Sequence, residues 1–118
     1  RKVVKETNPD ALILAEHYGD GSSWLGGDQW DTIMNYDAFM EPLSWFLTGL
    51  EKHSDRADSH LYQNSQAFMC TMLYNMSRMQ TPSMMAAMNE LSNHDHSRFL
   101  TRTNRQVGRL DYRGKAAA

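Results

Sequence analysis

A mainly α domain that pairs with a second copy of itself is the fold class predicted by this sequence. An α/β layer of about three short parallel strands is the alternative. Three observations carry these expectations. The strongest helical period runs from Ser65 to Gln80, where Met69, Met72, Met76 and Met79 recur at spacings of three, four and three beside Phe68 and Leu73. Methionine adapts to irregular neighbours, so such a stripe is expected to form core or a helix–helix seam. Glu41-Pro42 places proline in the first turn of a further helix, where its missing donor costs nothing, and Gly49 supports a stop near Leu50. Finally, Ala11-Leu12-Ile13-Leu14-Ala15 is a continuous apolar run of strand length, the pattern of a strand buried on both faces of a parallel sheet.

The remaining elements follow in order. Arg1 to Asn8 reads as a short helical end, and Asn8-Pro9-Asp10 supplies a turn because proline fixes φ while Asn and Asp bond locally. Gly19 to Asp31 holds four of the seven glycines together with Trp24 and Trp30, and reads as a loop with aromatic anchors. Asp31 to Tyr36 is expected to form a second short strand. Glu51 to Gln63 has no clear period and is expected to be loop or loose helix. A helix from Ser83 to about Glu90 follows the Thr81-Pro82 break, with a strand-like segment at Met88 to Asn93 competing for its end. Ser97 to Leu110 reads as an imperfect helix.

Composition excludes several classes of function. The 118 residues hold twelve Lys and Arg against fourteen Asp and Glu, a formal net charge of −2, which leaves no basic stripe for nucleic acid. No apolar run approaches the ~20 residues that cross a bilayer, and no signal-like segment follows Arg1, so the expected location is cytoplasmic. A lone Cys70 forms neither an intramolecular disulfide nor a cysteine metal knot, and its apolar helix makes it a packing residue. Lys115-Ala116-Ala117-Ala118 reads as a vector-derived linker, which leaves residues 1–114 as a single domain cut from something larger.

Two segments, taken together, carry a resemblance. The first is Leu12-Ile13-Leu14-Ala15-Glu16-His17, followed by Trp24-Leu25-Gly26-Gly27-Asp28-Gln29-Trp30-Asp31 and Met34-Asn35-Tyr36. The second is Leu91-Ser92-Asn93-His94-Asp95-His96-Ser97-Arg98-Phe99-Leu100-Thr101. In order and spacing they resemble the fifth-to-seventh-strand region of the α-amylase family of glycoside hydrolases, particularly its maltodextrin-degrading members. The resemblance implies a piece of a (β/α)8 barrel, with Glu16 as general acid/base, Asp95 as the carboxylate that stabilises the transition state and His94 assisting. It further implies that Trp24, Trp30, Asn93 and Arg98 contact an oligosaccharide. The chemistry agrees, because glycosidic cleavage needs one carboxyl to protonate the leaving oxygen and an anionic one to support oxocarbenium-like charge.

The family's attacking aspartate belongs to a Gly-x-Arg-x-Asp motif on the fourth strand. Gly108-Arg109-Leu110-Asp111 has the wrong spacing and the wrong place in the order to supply it. A complete barrel takes ~250 residues, so the chain on its own is expected to be about half of one and not a competent glycosidase. Exposed strand edges are then expected to drive dimerisation and rearrangement toward packed helices.

A second reading rests on the histidines. Of five, three stand beside carboxylates, in Glu16-His17 with Asp20 and in His94-Asp95-His96. Neutral imidazole and carboxylate suit Zn²⁺ or Mn²⁺, and a metal-bound hydroxide attacks activated esters or phosphoesters without a protein nucleophile. The expected ligands are His17, His94, His96 and Asp20. His53 and His60, seven apart, read as solvated surface.

Overall fold

The computed structural model describes residues 1–51 and 56–103, apart from the side chain of Thr101. His53, the Gly108–Asp111 segment and the Ala-rich end lie outside these residues. Helix α1 (Lys2–Thr7) ends at Asn8, whose side chain accepts from the Asp10 amide at 3.0 Å and makes the expected turn. Strand β1 (Leu14–Ala15) lies parallel to β2 (Thr32–Ile33), with Leu14 opposite Thr32 and Ala15 opposite Ile33. On the far side of β2 a single parallel bridge joins Met34 to Met88.

Among the described residues helix predominates, in five α-helices, and the parallel pairing expected of the alternative is present beside it. Among the described residues two of the three expected strands form, each shorter than predicted, and the third is reduced to the Met88 bridge. Only β2 is buried, Thr32 and Ile33 both being enclosed, whereas Leu12 in the apolar run is 59% exposed. The expectation that this run is covered on both faces fails for a physical reason: among the described residues β1 packs mainly on β2, and no helix lies closely over it. The Met88 segment contributes one bridge: the Asn35 backbone amide donates to the Met88 carbonyl at 2.9 Å, and beyond it the Asn35 side chain donates from Nδ2 to Asn89 Oδ1 at 2.8 Å, so side chains replace the ladder.

Between β2 and helix α2 (Glu41–Thr48) the chain makes a π-helical turn, Tyr36–Met40, which the periodicity did not predict. Asn35 builds it: its carbonyl accepts from the Met40 amide at 3.1 Å and its side chain from the Ala38 amide at 3.2 Å. Pro42 sits at the start of α2, and Gly49 closes it in the left-handed conformation at φ +73°. Met34, Tyr36 and Met40 form the buried core with Leu14 against them.

Helix α3 (Ser65–Ser77) begins at Asn64, whose side chain accepts from the Ala67 amide at 3.0 Å. It packs on α2 through Phe68, stacked on Phe46 at 4.6 Å and set edge-on to Trp45 at 6.2 Å. The methionine stripe divides. Met72, Met76 and Met79 are half-buried, but Met69 and Leu73 are exposed because they lie one position off the inner row of Phe68, Met72 and Asn75. Cys70 is exposed as well, which corrects its reading as a packing residue.

The predicted helix at Ser83–Glu90 is instead α4 (Thr81–Met85), docked on β2 where Thr32 Oγ1 donates to the Ser83 carbonyl at 2.7 Å. Helix α5 (Phe99–Thr103) carries the buried Arg102, which donates to Ser44 Oγ on α2 at 3.1 Å. His60 is exposed near Asp58, as the solvated reading expects. No helix among the described residues is long and apolar enough to cross a membrane.

Asp31 ties α1 to the sheet. Its carboxylate pairs with Arg1, with Lys5 at 2.9 Å and with the Ile13 amide at 2.9 Å. The Arg1 and Lys5 bonds hold its carboxyl far below the usual carboxylate range. A depressed folded value stabilises the native state at neutral pH, and that contribution fades as pH falls below the unfolded value of 3.8. Asp31→Asn is therefore expected to lower the melting temperature at pH 7 by about 4 °C and to flatten its decline below pH 4. Thermal melts of both proteins across pH 2–7 check this.

Candidate functional site

Glu16 is the first residue beyond β1, and the turn containing His94 and Asp95 follows the Met88 bridge. Both therefore emerge at the carboxyl ends of parallel chain segments, where catalytic groups of α/β layers gather. His94 Nε2 lies 3.1 Å from Glu16 Oε1 and 3.6 Å from Asp95 Oδ1. One donor atom from each of the three falls within 4.8 Å of the others, and all three side chains are exposed. A carboxyl and a carboxylate flanking an imidazole can pass and hold a proton while keeping one negative charge in place.

Two tyrosines support this cluster. Tyr18, two residues beyond Glu16, stacks on Tyr36 with ring centroids 4.3 Å apart and donates from its hydroxyl to Asp95 Oδ2 at 3.3 Å. The Tyr36 hydroxyl accepts from Asn93 Nδ2 at 2.8 Å. The same amide group donates to Glu90 Oε1 at 3.1 Å, while Asn93 Oδ1 accepts from the Asp95 amide at 3.0 Å and meets His96 Nδ1. Burial, the bond to Tyr18 and the Glu16 charge all push the Tyr36 phenol well above its ordinary value, so it stays neutral. Neither tyrosine was given a role by the sequence. The signal was only that each follows a strand end closely.

The other candidate residues lie elsewhere. His17 alternates away from Glu16 and packs on Trp24 at 5.0 Å and Trp30 at 5.4 Å, and the two indoles stack on each other at 5.0 Å. Trp24 and Trp30 are half-buried by this packing, and the Trp30 amide closes the loop onto the Trp24 carbonyl at 3.0 Å. Asp20 accepts from the Ser22 amide at 3.0 Å and pairs with Arg78, the residue that caps the end of α3. The Ser22 bonds, with Arg78 adding, hold its carboxyl below the ordinary value. His96 faces Tyr36 at 5.9 Å, and Arg98 is exposed just before α5. The expected metal set of His17, His94, His96 and Asp20 is thus not assembled: three of its members are held by aromatic rings, an asparagine or an arginine. The group that does converge is Glu16, His94 and Asp95.

No family model matches the chain. Individual proteins do. Neopullulanase 2 of Thermoactinomyces vulgaris is 41% identical over 103 residues, which is 86% of this chain and 15% of that protein. A cyclomaltodextrinase of Thermoanaerobacter pseudethanolicus is 32% identical over 110 residues, 93% of this chain and 17% of its own length. The chain thus spans about a sixth of these relatives. Among solved structures, the native debranching enzyme of Nostoc punctiforme superposes with a TM-score of 0.73 at 27% identity, over 89% of this chain and 22% of that one. Relatives named neopullulanase and cyclomaltodextrinase, and a backbone shared with a debranching enzyme, lead to one assignment: the chain belongs to the α-amylase family of glycoside hydrolases.

Proposed function

We propose that this chain supplies the acid/base half of an α-glucan hydrolase site. Glu16 protonates the glycosidic oxygen as it leaves, Asp95 supports the positive charge that develops on the sugar ring, and His94 bridges them. The observation that carries the reading is the meeting of Glu16 and His94 at 3.1 Å across 78 residues of sequence, from the ends of separate parallel segments. Two-step hydrolysis also needs an attacking carboxylate ~5 Å from the acid. By the family resemblance Asp95 is not that group, and the cluster contains no other carboxylate besides Glu16. The attacker is therefore supplied by a segment other than the residues described. Maltodextrin or cyclomaltodextrin is the substrate class that the relatives' names favour.

The test is a graft: this chain replaces the matching segment of Thermoactinomyces vulgaris neopullulanase 2. A folded graft that hydrolyses maltodextrin and loses the activity on Glu16→Gln supports the reading. A folded, inactive graft overturns it. A second reading of the same three side chains, as Zn²⁺ or Mn²⁺ ligands serving ester hydrolysis, rests on their 4.8 Å grouping. Metal analysis of the purified chain, with ester hydrolysis assayed before and after chelation, separates the two.

Among the described residues the edge of β1 away from β2 has no partner strand, and such an edge invites one. In the isolated chain that strand comes from a second copy. Light scattering is expected to give about twice 13.6 kDa, and a monomer mass overturns the dimer.

A further inference from the structure

We propose that Tyr36 is a positioning residue: through the side-chain amide of Asn93 it sets the turn that presents His94 and Asp95 to Glu16. The inference rests on the hydrolase reading for its functional half and on geometry alone for its structural half.

Tyr36 is 1% exposed and sits in the core with Met34 and Met40, so its ring is fixed by packing before any site contact is made. Its hydroxyl is the one polar atom of that core group aimed at the turn. Asn93 Nδ2 donates to it at 2.8 Å and to Glu90 Oε1 at 3.1 Å; the carboxylate, which only accepts, turns the Asn93 nitrogen inward, and the Tyr36 hydroxyl fixes where that nitrogen sits. With the nitrogen turned inward, Asn93 Oδ1 faces the Asp95 amide at 3.0 Å and closes an Asx turn over His94. That turn points His94 Nε2 at Glu16 and leaves the Asp95 carboxylate to accept from Tyr18. Tyr18 in turn stacks on the same Tyr36 ring at 4.3 Å. One buried phenol therefore holds both approaches to the cluster, by a hydrogen bond to one and a stacked ring to the other.

Tyr36→Phe removes the hydroxyl and keeps the ring. In ¹⁵N-labelled chain, hydrogen exchange at the Asp95 amide is expected to quicken about tenfold and the His94 ring resonances to move, while α3 amides keep their protection. Unchanged Asp95 exchange and His94 resonances overturn the proposal. Should Tyr36→Phe lose α3 protection as well, the excess at the Asp95 amide decides: quickening there beyond that of the α3 amides supports the proposal, and equal quickening throughout overturns it. In the grafted enzyme, Tyr36→Phe is expected to lower kcat about tenfold at constant KM. A change confined to KM would mean direct contact with the sugar, against a positioning role. If Glu16→Gln leaves hydrolysis intact while the Asp95 amide responds to Tyr36→Phe, the hydrolase reading falls and the structural role stands.

Discussion

Glu16→Gln is expected to lower maltodextrin hydrolysis by the grafted enzyme about 10³-fold, with KM held within a factor of two. Glutamine keeps the shape of the side chain and its bonding to His94, so ground-state binding is preserved. It lacks the proton that the departing oxygen needs and the base that activates water in the second step, so both barriers rise. The loss should be smaller for aryl glucosides, whose phenolate departs without protonation. Comparing the two substrates distinguishes a lost acid from a disturbed fold, since a disturbed fold slows both equally. Retained maltodextrin hydrolysis would remove Glu16 from the reaction.

Trp45→Ala is expected to carry the largest structural penalty, about 3–5 kcal/mol. Trp45 is 4% exposed and stands edge-on to Phe68, on the seam where α2 meets α3. Among the described residues few large side chains are fully buried and α3 contributes none of its own, so Phe68 would have to leave its stack on Phe46 to fill the space the indole leaves. Against a typical total of 5–15 kcal/mol, such a loss brings the folded state close to balance with the unfolded one. Denaturant titration followed by far-ultraviolet circular dichroism measures it; a midpoint unmoved from the parent would show that the seam is held elsewhere.

Local chemistry made parts of this molecule readable in advance. Pro42 and Gly49 bracket α2 because each acts through its own φ, and Asn8 with Asp10 makes its turn within three residues. Glu16 was legible as the end of an apolar run. What escaped depends on partners distant in sequence. His17 reads as a metal ligand beside Glu16 and Asp20, yet the alternation of an extended chain sends it to two indoles. The π-helical turn at Tyr36–Met40 needs Asn35 to serve its own turn and the Asn89 side chain at once, and no period announces that. The exposed half of the methionine stripe shows the same limit: spacing identified a helix but not which of its two adjacent rows faces inward.

The hydrogen bonds that assemble the site join residues 57 and 77 positions apart, whereas α2 and α3 are each built from contacts four residues apart or fewer. Closing so long a loop costs entropy that only the finished core repays. During refolding the helical signal should thus precede the stacking of Tyr18 on Tyr36, and Glu16, His94 and Asp95 should be the last to meet. In kinetic terms this cluster is expected to be the final element to mature, and the first to dissolve when the protein is warmed.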